Sequence, residues 1–175
     1  MGQPLFRFKR FLVKQNGVSH PVGTDGILLG AWADISGCKT VLDIGTGTGL
    51  IALMLAQRTE FEEGISITGI EIHEPSVECA AMNFKASPWS PRLHALHSSI
   101  QDFSKKQNGK FDLIVSNPPF FSGGHHAPNP IRRLGRSTET LKPQVLLDAV
   151  KRLLVPGGRF CTVLPPAEGR RFYEQ

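Results

Sequence analysis

The chain predicts an α/β fold on a parallel sheet, with a hairpin and a short helix in front of it. Three observations carry that prediction. Short apolar runs alternate with amphipathic helical segments from residue 39 onward, the first such run leads directly into a glycine-rich turn, and 175 residues suffice for one domain with a full core. The expected organisation is a single domain, with an extension over 1–36 and a core over 37–175.

Each element has its own local reason. Phe6, Phe8 and Phe11 to Val13 alternate with basic residues and read as a strand, and Asn16-Gly17 supplies turn chemistry for a hairpin returning through Val18 to Val22. Asp25 can cap a short helix over Gly26 to Ala33. Thr40 to Ile44 is the first buried strand of the core, Leu50 to Gln57 a helix, and Ile65 to Ile70 a second strand ending at Glu71. Pro75 suits the start of the next helix, because its missing N–H falls where no partner exists. Leu93 to His97 and Phe111 to Ser116 are further strands, the latter stopped by Asn117-Pro118-Pro119. Gln144 to Leu154 is a helix closed by Pro156-Gly157-Gly158, and Arg159 to Leu164 is the fifth core strand.

Composition narrows the function classes. A chain that is 40% hydrophobic and 20% charged is an ordinary globular mixture, so wholesale disorder, collagen and coiled coil are excluded. No apolar run approaches the ~18 residues of a membrane span, and the first ten residues lack the apolar stretch of a secretory signal, which together predict a cytosolic chain. Cys38, Cys79 and Cys161 are odd in number and widely spaced, so they read as reduced core residues. No metal site is expected, since the adjacent His125 and His126 have no ligand partners at metal spacing.

The net charge of +5 favours a polyanionic partner, and its distribution says more. Residues 1–14 hold Arg7, Lys9, Arg10 and Lys14 with no acid, interleaved with phenylalanines. A second basic segment over 125–152 contains Arg132, Arg133 and Arg136. Cations mixed with stacking faces are what nucleic-acid grooves use, and a solvated strand and loop is the plain alternative.

Two motifs carry chemistry. Asp43-Ile44-Gly45-Thr46-Gly47-Thr48-Gly49 places a tight bend between a buried strand and a helix, where backbone can approach a ligand closely. Glu71, at the end of the next strand, can accept both ribose hydroxyls of a nucleoside. After the fourth core strand comes Asn117-Pro118-Pro119-Phe120. An exocyclic amine is a poor nucleophile because its lone pair is delocalised. The Asn117 side-chain oxygen and the Pro118 carbonyl can hold its hydrogens and turn that pair toward an electrophile, while Phe120 offers a face for a planar base.

With Asp43, the glycine bend and Glu71 in place, the sequence resembles the class I S-adenosylmethionine-dependent methyltransferases. The resemblance implies a Rossmann-like parallel sheet ordered 3-2-1-4-5-7-6 with helices on both faces. It also implies S-adenosylmethionine as cofactor, with its amino-acid part near Asp43, Gly45, Thr46, Gly47 and Gly49, its ribose on Glu71, and Asn117 among the residues that border it. Ser99, or Asp102 three residues on, is the candidate for the adenine. The Asn-Pro-Pro-Phe motif resembles that of the amino-methyltransferases, whose acceptors include adenine N6, guanine N2 of ribosomal RNA and glutamine N5 of proteins. Phe6 to Phe11 with Pro21 to Ala33 makes nearly the whole chain similar to the bacterial tRNA1(Val) adenine-37 N6-methyltransferase family. That likeness implies Thr24, Asp25 and Gly26 at the methionine end of the cofactor. It puts tRNA, at the anticodon loop, against Arg7, Lys9, Arg10, Arg132, Arg133 and Arg136. A glutamine-N5 protein enzyme, ribosomal RNA guanine and DNA adenine enzymes, and a non-catalytic RNA-binding module are the alternatives. Family members continue past the fifth core strand, so strands 6 and 7 are expected to be absent from this chain. The flank so exposed would then belong to a longer protein or be covered by another chain.

Overall fold

A computed structural model describes residues 5–107, 110–118 and 142–174. Pro119, Phe120, Arg132, Arg133, Arg136 and the two adjacent histidines lie outside the described residues. In chain order the elements are β1 (Leu5–Arg7), β2 (Leu12–Lys14), α1 (Thr24–Trp32), β3 (Thr40–Ile44), α2 (Leu50–Arg58), β4 (Ser66–Glu71) and α3 (Glu74–Lys85). A 3-10 turn (Ser90–Arg92) leads into β5 (Leu93–His97), α4 (Ile100–Lys106), β6 (Phe111–Ser116), α5 (Pro143–Leu153), β7 (Leu154–Thr162) and α6 (Pro166–Tyr173).

The main sheet has five parallel strands in the order β5-β4-β3-β6-β7. Successive side chains of a strand face opposite sides, and the sequence is apolar on both. Val41, Leu113, Val115 and Ile67 point into a core shared with Leu29 of α1, Leu53 of α2 and Ala80 of α3. Leu42, Ile44, Ile70 and Ile114 point the other way, onto Phe103 of α4 and Leu146 and Leu153 of α5. Cys38 and Cys79 are buried, Cys161 is half-buried, and all three are unbridged.

Three expectations are corrected. The strands expected to be missing, the sixth and seventh, are present: β6 pairs with β3, and β7 pairs with β6 on its outer side. Along the whole chain the two hairpin strands come first, so β6 and β7 are the fourth and fifth strands of the main sheet. The last of them is also longer than its sequence suggests. Pro156-Gly157-Gly158 reads as a stop, yet the strand passes through it as an irregularity between the Phe111–Leu154 and Leu113–Arg159 pairs, with Gly157 at φ +79°. An outer strand tolerates a proline and three extra residues where an inner one would not. Finally, the hairpin closes between Arg7 and Leu12, so that the stretch read as one strand is both. Asn16-Gly17 instead leads toward α1, whose N-cap is Gly23 with Asp25 in the first turn.

Candidate active site

Parallel pairing brings the carboxyl ends of the strands to one edge, and register fixes the order of residues along it. His97 of β5 pairs with Glu71 of β4, and the Ser98 amide donates to the Glu71 carbonyl at 3.0 Å. Ile70 pairs with Ile44 of β3, which pairs in turn with Ser116 of β6. Across this edge the chain therefore sets Ser99, Glu71, Gly45 to Gly47, and Asn117 side by side. Adjacent strands lie about 4.8 Å apart, so Glu71 and Asn117 are separated by roughly 10 Å. The strand order also reverses here, with β4 on one side of β3 and β6 on the other, which leaves a crevice above the sheet.

The glycine turn forms the floor of that crevice. Gly45, Gly47 and Gly49 have φ of +72°, +56° and +81°, and the amides of Gly45 and Thr46 both donate to the Ile70 carbonyl, at 2.9 and 3.0 Å. A Cβ on Gly45 would enter open space, and one on Gly47 would find only the Gly45 carbonyl, 4.0 Å away. Side chains there would fill the concavity. Gly49 is a glycine for the opposite reason, because a Cβ would lie 2.4 Å from the Phe84 ring.

Asp43 acts inside this turn. It is wholly buried, accepts from the Thr46 hydroxyl at 2.7 Å, and leaves its second oxygen without a hydrogen-bond partner among the described residues. Burial pushes its carboxyl up to about 7, against the Thr46 donation and the nearby Ala52 amide, which favour the charged form. Asp43 thus shapes the bend through Thr46, whose side chain in turn occupies the space that any side chain at Gly69 would need. Glu71 meets the crevice directly. One carboxylate oxygen accepts from the amides of Ile72 and His73 at 2.8 and 2.9 Å, and the other from Gly47 at 3.2 Å. Three of about four lone-pair positions are used, so taking both ribose hydroxyls requires the Gly47 bond to give way. An open concavity beside a half-buried carboxylate fits the amino-acid and ribose parts of S-adenosylmethionine.

Ser99 has another task as well. It is the N-cap of α4, accepting from the Asp102 amide at 3.0 Å and donating to the Asp102 carboxylate at 2.8 Å. Asn117 and Pro118 are half-buried at the end of β6, anchored by the Ser116 hydroxyl bonded to the Ile44 carbonyl at 3.0 Å. The first turn of α1 sits over them: a Cβ on Gly26 would lie 3.8 Å from the Asn117 amide nitrogen, while Thr24 and Asp25 are exposed beside it. Arg7 and Lys9 are exposed on the hairpin, whereas Arg10 makes a two-pronged ion pair with Glu60, one arm at 2.6 Å. The hairpin aromatics stack on one another, Phe8 on Phe11 at 4.5 Å, and Phe11 packs edge-on against Trp89.

Sequence reading passed over Asn83 and Gly69. Each carried a signal: an amide on the apolar face of a helix between Cys79, Ala80 and Phe84, and a glycine inside a strand. Among the described residues no group of three metal-ligating side chains forms, and no helix is long and apolar enough to cross a membrane. A cleft of about 400 Å³ beside Trp89 and Arg92 opens away from the crevice, and its Glu60 and Arg92 are occupied by Arg10 and by helix carbonyls.

Known proteins share this arrangement. The sequence model of the methyltransferase small domain family matches residues 26–169, from the first turn of α1 into α6. The tRNA1(Val) (adenine(37)-N6)-methyltransferase of Erwinia tasmaniensis is 42% identical over 97% of this chain and 69% of its own length. That of Proteus mirabilis is 46% identical over 97% of this chain and 66% of its own, so the chain spans about two thirds of these curated relatives. The crystal structure of TrmN from Thermus thermophilus superposes with a TM-score of 0.62 at 25% identity, covering 84% of this chain and 40% of that one. An O-methyltransferase from Bacillus cereus in complex with SAH shares the fold, with a TM-score of 0.60 at 19% identity over 89% of this chain and 70% of its own. With the glycine turn, Glu71 and Asn117 aligned on one edge and this likeness running through nearly all of the sequence, the chain belongs to the methyltransferase small domain family and, within it, to the tRNA1(Val) (adenine(37)-N6)-methyltransferases.

Proposed function

We propose that the chain transfers a methyl group from S-adenosylmethionine to N6 of adenosine in tRNA, at position 37 of the anticodon loop of tRNA1(Val). The observation that carries this reading is the Ile44–Ser116 pairing, which sets Asn117 directly beside the glycine turn. Gly45 and Gly47 seat the amino-acid end of the donor, in a bend that Asp43, Thr46 and Gly49 shape, under Thr24, Asp25 and Gly26 of α1. Glu71 takes the ribose, and Ser99 or Asp102 the adenine. When bound, the donor supplies an electrophilic sulfonium methyl.

The chain's own part is alignment. The Asn117 side-chain oxygen and the Pro118 carbonyl accept the two amine hydrogens, which keeps the nitrogen lone pair out of the ring and aims it along the crevice. Pro118 has no N–H of its own to compete at that corner. Pro119 and Phe120 complete the motif, with the Phe120 ring as the stacking face for the base. The base must leave its stack to reach Asn117, which costs least in a single-stranded loop. Arg7 and Lys9 with Arg132, Arg133 and Arg136 neutralise phosphates around it, while Arg10 stays on Glu60.

The test is mass spectrometry of nucleosides from tRNA of a strain lacking the modification, after incubation with the chain and labelled donor. N6-methyladenosine is the expected product. Asn117→Ala is expected to cut transfer by about 10²–10³-fold while donor affinity stays within about twofold. Label appearing in a protein glutamine, or in guanine, would overturn the reading.

A further inference from the structure

We infer that Asn83 is a positioning residue that fastens the N-terminal hairpin to the donor seat, so that the two move as one unit. Its amide is 2% exposed, and every strong hydrogen-bonding group on it is used. The oxygen accepts from the Lys14 amide at 2.9 Å; the nitrogen donates to the Lys14 carbonyl at 2.9 Å and to the Thr48 carbonyl at 2.8 Å. Lys14 is the last residue of β2, and Thr48 lies inside the glycine turn between Gly47 and Gly49. One side chain thus pairs with a strand end as a neighbouring strand would, and holds the turn with the same nitrogen.

Neighbouring contacts run the same way. Phe84, the next residue, is the ring against which Gly49 closes, so consecutive residues of α3 set consecutive residues of the turn. One turn earlier, the Cys79 thiol donates to the same Lys14 carbonyl at 3.1 Å. Further along, Gly17 packs against Pro75, where a Cβ would lie 3.3 Å from the proline Cβ. The segment from Lys14 to Gly17 therefore follows α3 from the glycine turn toward Glu71. A load on the hairpin reaches Thr48 through a single buried amide, and a donor that tightens the turn tightens Lys14. This rests on the proposal that the hairpin faces RNA and the turn holds the donor.

Two measurements test it. In the unmodified chain, saturation with S-adenosylhomocysteine is expected to slow hydrogen exchange at the Lys14 amide, although no hairpin residue need touch that ligand. In Asn83→Asp, which keeps the shape and the acceptor but removes both donations, calorimetry at a temperature well below Tm is expected to show donor affinity weakened about tenfold. KM for tRNA is expected to rise with it. Thr59→Val is the comparator, since it removes a buried hydroxyl at the far end of α2 and is expected to lower Tm with donor affinity unchanged. Unchanged Lys14 exchange overturns the inference whether or not the variant folds, and so does an Asn83→Asp protein that loses stability but binds donor normally. Failure of the unmodified chain to bind S-adenosylhomocysteine at all overturns the functional reading instead.

Discussion

Burial holds the Asp43 carboxyl at about 7 against an ordinary 3.8, so the folded chain binds this proton more tightly than the unfolded chain does. The stabilisation from the neutral form is complete below about 3.8 and is lost as pH rises through about 7. Asp43→Asn keeps an acceptor for Thr46 and cannot ionise. Its Tm relative to the unmodified chain is therefore expected to climb as pH is raised from about 4 to about 8, and a flat difference in thermal melts would refute the assignment. The glycines of the turn separate in the same manner. Gly49→Ala meets both a left-handed backbone and the Phe84 ring, and is expected to cost about 2–4 kcal/mol in urea unfolding. Gly45→Ala meets the backbone penalty alone, about 1 kcal/mol, but puts a methyl into the concavity, so its main effect is expected on donor affinity.

Elements of this chain are held by a few named contacts. The hairpin docks through Phe11 against Trp89, the Arg10–Glu60 pair and the Asn83 clamp on Lys14. Phe11→Ala is expected to speed amide exchange through 5–14 while the amides of β3 stay protected; equal acceleration in both would mean that hairpin and sheet unfold as one. The phenylalanines that look like stacking platforms in the sequence spend much of their surface on one another, because a three-residue strand pair cannot bury itself otherwise. At α4, Ser99 is an N-cap that accepts from the Asp102 amide, a signal present in the sequence beside its ligand role. Ser99→Ala is expected to cost about 1 kcal/mol through the lost cap, measured by chemical denaturation.

For the molecule as a whole, a net charge of +5 with Arg7 and Lys9 exposed on the hairpin makes tRNA affinity a function of salt. It is expected to fall by orders of magnitude across a fourfold rise in ionic strength in filter binding, and an affinity indifferent to salt would favour a protein acceptor. The sequence alone determined the alternation of strand and helix, the bounds of β3, β5 and β6, the glycine turn, Glu71 and the Asn117 corner. Each of these is written in local chemistry: apolar period, backbone freedom, or a residue type at a strand end. Tertiary structure decided the rest. It carried β7 through Pro156-Gly157-Gly158 beside β6, buried Asp43 completely, and tied Lys14 to Thr48 through Asn83. These depend on partners far apart along the chain, and no local pattern specifies which buried polar group will meet which.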